Sequence, residues 1–414
     1  MGIRLIFPGQ GRLPTAAIHA MAKRVLQPLL IALTLMAPAA AAPPAPTAAW
    51  PTPPKIAAPN WMLMDATTGQ ILAASNPDVP IAPASLTKLM TTYLTFSALR
   101  ERKIRLDQSV ASPAEAEIPQ GARMFLLPGK NVSVNELLQG MITLGAHDAA
   151  IALAKAISGS ESAFVELMNK TAQRLGMTNT RFANPTGVPH PEHVSTVADV
   201  MRLSNSLITE FPEYLREFGR REFTYNGIRQ VNRNRLLWLD NSVDGLMTGR
   251  SDTAGFAIAI SAHRPQPLGT RERMQRRLLA VIVGAASEEA RAQEGLKLVN
   301  FGFQQFDIVR LFRADEASEV VPVYKGVAGH ARLHFPKDVL VAIPRGKAGG
   351  IRTQLERPNA LLAPVNMGQP VGRLRIWLGQ TEIHQVPVSA AESVKSAGLL
   401  GRAIDTLRLW WRAI

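Results

Sequence analysis

The sequence predicts a mixed α/β domain, an antiparallel sheet flanked by helices, followed by a small all-β domain and an amphipathic terminal helix. Three observations carry this. Apolar runs of strand length stand at both ends of the segment 60–305 and enclose a helix-prone middle, which suggests one sheet assembled from distant segments. Beyond about Phe306 the apolar runs become short, alternating and closely spaced. Residues 393–414 place their apolar side chains on one helical face and cations largely elsewhere.

The 414 residues are enough for two domains with tails, and 46% apolar with 19% charged residues fits a folded chain. With no cysteine, disulfide frameworks and thiolate metal sites are excluded. The net charge of +14 favours polyanionic surfaces. The basic residues are dispersed and no stretch resembles a nucleic-acid module, so membrane or cell-wall contact is the better reading and no nucleic acid is expected.

In chain order, Lys23 and Arg24 precede an apolar run from Leu29 to Met36, then Pro38 and the small residues Ala39 to Ala42. This is the order of a secretory signal with a cleavable end, assigned to residues 1–42, with Met21 an alternative start. The run is short for a membrane span. The Pro/Ala-rich residues 43–59 read as a flexible or polyproline-like linker. Trp61–Met64 and Ile71–Ala74, joined by Asp65–Gln70, predict a hairpin. Helices are predicted over Ser85–Arg102, Leu137–Ile157, Ser162–Leu175 and Glu288–Phe301. Phe256–Ala262 and Leu278–Gly284 predict strands, with Pro265, Pro267 and Gly269 between them as a turn. Val320–Tyr324, Ala331–Phe335, Val339–Ile343, Val371–Leu378 and Gln385–Val388 predict the β domain, residues 306–389. In residues 390–414, Leu399, Leu400, Ala403, Ile404, Leu407, Trp411 and Ile414 share a face. With Trp410 at the end and cations opposite, this fits a helix lying in a membrane interface better than one docked on the protein.

Ser85-Leu86-Thr87-Lys88 opens the first apolar helix. Residues three apart share a helical face, so the Lys88 amine can reach the Ser85 hydroxyl. A serine needs such a base, and a buried lysine serves because desolvation lowers its pKa. Alone, Ser-x-x-Lys is a weak signal; a helix-start serine beside a solvated lysine would look the same.

Context decides. Pro83-Ala84-Ser85-Leu86-Thr87-Lys88-Leu89-Met90 resembles the active-serine segment of the low-molecular-mass penicillin-binding proteins, the D-alanyl-D-alanine carboxypeptidases. Asp65–Gly69, Met124–Gly129, Phe182–Gly187, Ser195–Asp199, Phe223–Gln230, Asn232–Leu237, Val243–Gly249 and Asp252–Phe256 are similar to further segments of that family, collinear from about residue 60 to the C-terminus. The resemblance implies a penicillin-binding/β-lactamase-like transpeptidase domain over 60–305. It implies a nucleophile at Ser85, a base at Lys88 and substrate binding at Thr248, Gly249 and Arg250. Peptidoglycan stem peptides would be the substrate and β-lactams covalent inhibitors, in the periplasm at the inner-membrane surface through residues 393–414. No metal or other cofactor is suggested; His190, Glu192 and His193 sit in a Pro-rich turn.

Two motifs depart from the family. Its Ser-Gly-Asn is Gly145-Ala146-His147 here, and its Lys-Thr-Gly is Met247-Thr248-Gly249. The resemblance assigns proton relay to the missing serine, substrate and lysine contacts to the missing asparagine, and a carboxylate contact to the missing lysine. A charged hydrogen bond is worth roughly 1.5–3 kcal/mol, and a proton relay about two decades in rate or more. Arg250 could bind the carboxylate and His147 could shuttle protons. Two readings follow: a working serine carboxypeptidase with altered substrate handling, or a pseudoenzyme that binds or scaffolds at the cell wall. A β-lactamase has less support, since no Glu stands in a recognisable deacylation segment.

Overall fold

The structure, a computed structural model, describes residues 50–114, 121–269, 271–314, 317–399, 402, 403, 405 and 406. The predicted hairpin forms from β1 (Asn60–Asp65) and β2 (Gln70–Ser75). At its turn the Asp65 carboxylate accepts from the backbone N–H of Thr67 and Thr68. A 3₁₀-helical turn over Ala84–Thr87 leads into α1 (Lys88–Arg100). The short pair β3 (Ser109–Ala111) and β4 (Asn131–Ser133) precedes α2 (Val134–Leu144), α3 (His147–Ser158), α4 (Glu161–Arg174) and α5 (Val197–Glu210). The hairpin β5 (Glu222–Tyr225) and β6 (Ile228–Val231) and the single turn α6 (Leu236–Leu239) lead to β7 (Val243–Gly245), β8 (Thr248–Ser251), β9 (Gly255–Leu268) and β10 (Glu272–Ala285). Helix α7 (Glu288–Gln305) closes the domain.

The first and last strands meet in one antiparallel sheet ordered β2-β1-β10-β9-β7, with β8 also on β9. Strand alternation sends Met62, Met64, Leu279, Val281 and Val283 into the helical core under α1–α5. Leu63, Leu278, Ala280 and Ile282 point the other way, into the layer that α7 covers through Leu298 and Val299.

Several expectations are corrected. The helix predicted over Leu137–Ile157 is two helices, because Gly145 is left-handed (φ 72°) and Ala146 extended. Ser85 lies in the 3₁₀ turn ahead of α1, not within the helix. Pro265 and Pro267 lie in β9, not in a turn. The His263 N–H donates outward to Ser242 O, so alternation turns the nitrogens of 265 and 267 to the same edge. There β7 pairs no further than Ala262, and a missing N–H breaks no ladder bond. Residues 50–59, expected to be a flexible linker, pack on the domain. Trp50 Nε1 donates to Leu72 O at 2.8 Å, its ring lies 5.1 Å from that of Phe306, and Ala58 is buried.

The second domain begins at β11 (Phe306–Phe312) and continues through β12 (Ala317–Tyr324), β13 (His330–His334), β14 (Val339–Pro344), β15 (Ile351–Glu356), β16 (Leu361–Leu362), β17 (Pro370–Leu378) and β18 (Thr381–Ala390). β11 pairs β14, and the other six form a sheet ordered β15-β17-β18-β13-β12-β16 around a separate apolar core. Val394 is buried in that core and bridges Val365, and Ser396 bridges Gly326, so β-domain packing reaches Ser396. Gln70 clasps the two domains: its Oε1 accepts from Ala342 N–H (2.6 Å) and its Nε2 donates to Ala342 O (3.1 Å). Beneath lies a fully buried ion pair, Arg276 Nε to Asp65 Oδ2 at 2.6 Å, whose guanidinium also donates to Phe306 O. Within the terminal amphipathic segment, Leu399 is helical and 80% exposed. Leu400, Ile404, Leu407, Trp410, Trp411 and Ile414 fall outside the described residues, as do the segment expected to be a signal (residues 1–42) and residues 43–49. Among the described residues no helix is long and apolar enough to cross a membrane.

Candidate active site

The site is built on the turn that carries Ser85. Ala84 adopts a left-handed backbone (φ 48°), which costs energy for a residue with a Cβ. The conformation is held from outside. Gly187 lies so close to it that an added Cβ would sit 1.8 Å from Ala84 O. Gly249, in edge strand β8, approaches the other side; a Cβ there would lie 3.3 Å from Leu86 N and 3.4 Å from Ser85 N. Two glycines thus let two segments clamp the Ser85 turn, as only residues without side chains can.

The i, i+3 relation between Ser85 and Lys88 brings the amine to 3.3 Å from the hydroxyl. Lys88 is fully buried, and its amine also donates to Thr186 O at 2.5 Å. That carbonyl belongs to a turn organised by Asn184, whose Oδ1 accepts from the N–H of Thr186, Gly187 and Val188. Burial lowers the Lys88 pKa from 10.5 to about 7; the positive charge of Arg233 pushes the same way and Asp148 opposes both. A substantial fraction of the amine is therefore neutral near pH 7 and able to accept the serine proton. The floor under Ser85 is completed by Thr87 and His193. The Nδ1 of His193 accepts from Ala183 N–H, so its Nε2–H donates to Thr87 Oγ1 at 2.8 Å. His193 is thereby a buried prop, and among the described residues no group of His, Asp and Glu is arranged to hold a metal.

Ser85 opens into a cleft of about 320 Å³ lined by Gly145, His147, Thr248, Gly249 and Arg250, and also by Gly121, Gly187, Arg233 and Arg291. The structure therefore brings most of the sequence-predicted positions together. Met247 and Ala146 are exceptions: both are buried (2% and 0% exposed) and neither lines the cleft. Arg250 is at the rim, 66% exposed, 3.7 Å from Asp252 and over the ring of Phe256.

Arg233 and Arg291 escaped the sequence reading as site residues. Arg233 is exposed, enters the cleft from the loop after β6, and is one of the charges that shape Lys88. Its segment was recognised for resemblance, but nothing local marks the arginine as facing Ser85. Arg291 is 3% exposed and braces the cleft wall, donating to Arg233 O at 3.1 Å and Gly249 O at 3.5 Å. Its position on α7, two hundred residues on from the nucleophile, gave no signal at all. Two cations, one free to meet solvent and one buried as a brace, thus stand on the side of the cleft formed by β8.

Comparison with known proteins agrees with this geometry. Residues 47–286 match the family model described as D-alanyl-D-alanine carboxypeptidase, and residues 306–396 match the C-terminal domain of penicillin-binding protein 5. The D-alanyl-D-alanine carboxypeptidase DacC of Escherichia coli is 37% identical over 85% of this chain and 88% of its own length. DacA of Haemophilus influenzae is 35% identical over 86% and 90%. The crystal structure of penicillin-binding protein 5 from Haemophilus influenzae superposes with a TM-score of 0.75 at 34% identity, covering 84% of this chain and all of that one. Penicillin-binding protein D2 from Listeria monocytogenes, in its cefotaxime-bound form, superposes at 0.55 with 28% identity over 61% of this chain and all of its own. The chain belongs to the D-alanyl-D-alanine carboxypeptidase family of serine peptidases and carries the penicillin-binding protein 5 C-terminal domain.

Proposed function

We propose that Ser85 is the nucleophile with which this D-Ala-D-Ala carboxypeptidase opens the terminal peptide bond of peptidoglycan stem peptides, with Lys88 as its base. The single observation that carries this is the buried Lys88 amine, 3.3 Å from Ser85 Oγ with a pKa of about 7. Lys88 takes the hydroxyl proton, Ser85 Oγ adds to the carbonyl of the penultimate D-Ala, and the terminal D-Ala departs. Water then hydrolyses the acyl-enzyme. The substrate enters as an extended chain beside β8, which pairs only with β9 and leaves an edge for it to join.

The terminal carboxylate meets Arg233, which takes the place of the family lysine. Met247 cannot serve, being apolar and turned out of the cleft, and Arg250 is exposed and shared with Asp252. Arg291 acts by holding Arg233 and β8 in place. β-Lactams acylate the same oxygen, in keeping with the cefotaxime-bound relative. An inert scaffold would have no need to keep a lysine buried beside a serine at the cost of its charge, which weighs against the pseudoenzyme reading. The protein works in the periplasm, and residues 398–414, beyond the last β-domain contacts, hold it at the inner-membrane surface by an amphipathic helix.

The test is covalent labelling by a fluorescent penicillin, followed by D-Ala release from a diacyl tripeptide ending in D-Ala-D-Ala. Wild type labels and releases D-Ala, and Ser85→Ala does neither. A wild-type protein that takes no label and releases no D-Ala would end the proposal. Deletion of residues 398–414, which leaves the β-domain contacts of Val394 and Ser396 in place, should move the protein from the membrane to the soluble fraction with labelling unchanged; retention in the membrane fraction would place the anchor elsewhere.

A further inference from the structure

The relay position beside Ser85 has no side chain. A Cβ at Gly145 would lie 4.0 Å from Ser85 Oγ, close enough for a hydroxyl carried there to reach it, but residue 145 is glycine. The leaving amine still needs a proton as the C–N bond breaks. Lys88 is too deeply buried to be its obvious carrier: it lies beneath the cleft and does not line it.

Of the side chains lining the cleft that can carry a proton, Asp252 and Glu288 are exposed, 98% and 49%, and Glu288 lies 3.9 Å from Arg291, whereas His147 is buried and adjoins the 145–146 segment. It heads α3, two residues after Gly145, and lines the cleft with Ser85. Its backbone N–H is tied to Ala122 O at 2.7 Å, and Gly121 lies against the ring, 3.3 Å from Cε1 to where its Cβ would be. The ring is 8% exposed. Its Nδ1 is fully buried and has no hydrogen-bond partner among the described residues. A buried nitrogen left unpaired is destabilising, so an imidazole retained in this way calls for an explanation. The charged groups acting on it are Lys88 from α1 and Arg233 and Arg123 from the flanking loops, all positive; with burial they hold the ring neutral, its pKa lowered to about 3. The neighbouring Asp148 carboxylate is engaged by the N–H of Met124, Leu126 and Ala149. Lys88 is thus the first charge felt by a ring whose inner nitrogen is an unused acceptor. Among the described residues the amine donates to Ser85 Oγ and Thr186 O, which leaves one of the three N–H bonds of its protonated form without an assigned partner.

We propose that His147 is a catalytic residue that relays the proton from Lys88 to the leaving amine by exchanging tautomers. This rests on Ser85 being the nucleophile. As Ser85 Oγ bonds to the carbonyl carbon, its proton passes to Lys88 Nζ. Lys88, which makes no hydrogen bond to the ring at rest, closes on His147 Nδ1 and passes it a proton, the Nε2 proton passes to the departing nitrogen, and the C–N bond breaks. The ring is left neutral with its hydrogen on Nδ1. In deacylation water adds to the ester carbonyl and gives its proton to Nε2, Nδ1–H returns a proton to Lys88, and Lys88 protonates Ser85 Oγ as the C–O bond breaks. Each group ends as it began. A neutral imidazole suits this role, since it never has to be charged at rest.

The test compares two leaving groups. An acyl-D-Ala-D-Ala peptide departs as an amine that must be protonated; an acyl-D-alanyl thioglycolate thioester departs as a stable thiolate. The readout is kcat/KM, which reports acylation alone. His147→Ala and His147→Asn should each lower kcat/KM for the peptide by about 100-fold or more, and leave that for the thioester within about fivefold. Equal losses on both substrates would make His147 a structural element, and no loss on the peptide would place the relay elsewhere; either overturns the proposal. If the wild-type protein acylates with neither substrate, it is the assignment of Ser85 that has failed.

Discussion

Acylation of Ser85 should rise with pH through a midpoint near 7, because its proposed base is a lysine whose pKa burial brings down to about 7. Displacement of the Lys88 pKa from 10.5 to about 7, at about 1.4 kcal/mol per unit, corresponds to roughly 5 kcal/mol in favour of the neutral amine. Only that form accepts the serine proton. Below the midpoint each pH unit should therefore remove about tenfold of the rate, with a plateau above it. The two histidines near Lys88 do not complicate the profile: burial, chiefly, lowers His147 to about 3 and His193 to about 4, so neither titrates between pH 5 and 9. Of the two charges that shape Lys88, Arg233 lowers its pKa and Asp148 raises it. Arg233→Gln removes a repelling cation, so the Lys88 pKa should rise and the midpoint should move to higher pH, whatever happens to the plateau. The assay is the second-order rate constant of labelling by a fluorescent penicillin, measured from pH 5 to pH 9. A flat profile would refute the reasoning, as would a rate still climbing tenfold per unit at pH 9, or an acid shift in Arg233→Gln.

Three further outcomes follow from the same coordinates. Lys88→Met should abolish labelling yet raise the unfolding temperature. The folded-state pKa lies below the unfolded one, so the penalty is complete below about pH 7 and fades as pH rises toward 10.5; the stability gained should follow that course in thermal scans. Gly187→Ala drives a methyl group to 1.8 Å from Ala84 O and should displace the Ser85 turn, lowering labelling by about 100-fold while the chain still folds, as circular dichroism would report. Asp65→Asn leaves Arg276 buried and uncompensated at the domain junction and should cost about 3–5 kcal/mol in urea unfolding; a loss below about 1 kcal/mol would show the pair to be dispensable.

The parts legible in the sequence were those written in neighbouring residues. The hairpin of β1 and β2 announced itself as two apolar runs around Asp65–Gln70. The Ser85–Lys88 pair is a matter of one helical turn, and the strand-helix-strand order along the chain implied one sheet closed from its two ends. The helix break at Gly145 was written there too, but the long apolar run around it concealed it. Pro265 and Pro267 misled for a different reason. Proline reads as a turn when nothing is known of the neighbours, and only the arrangement of strands shows that the outer edge of β9 needs no N–H there.

The chain by itself determined the pairing of Ser85 with Lys88, since both belong to four consecutive residues whose geometry is local. It also determined which motif positions had changed. What the tertiary structure decided is everything that depends on which distant segments share a boundary with that turn. Burial against the 184–188 turn sets the Lys88 pKa, and the cleft admits Arg233 while excluding Met247. Loop residues 121 and 122 press on His147, whose Nδ1 has no hydrogen-bond partner among the described residues. Desolvation and through-space charge are properties of packing, and packing joins residues whose separation along the chain carries no trace of it.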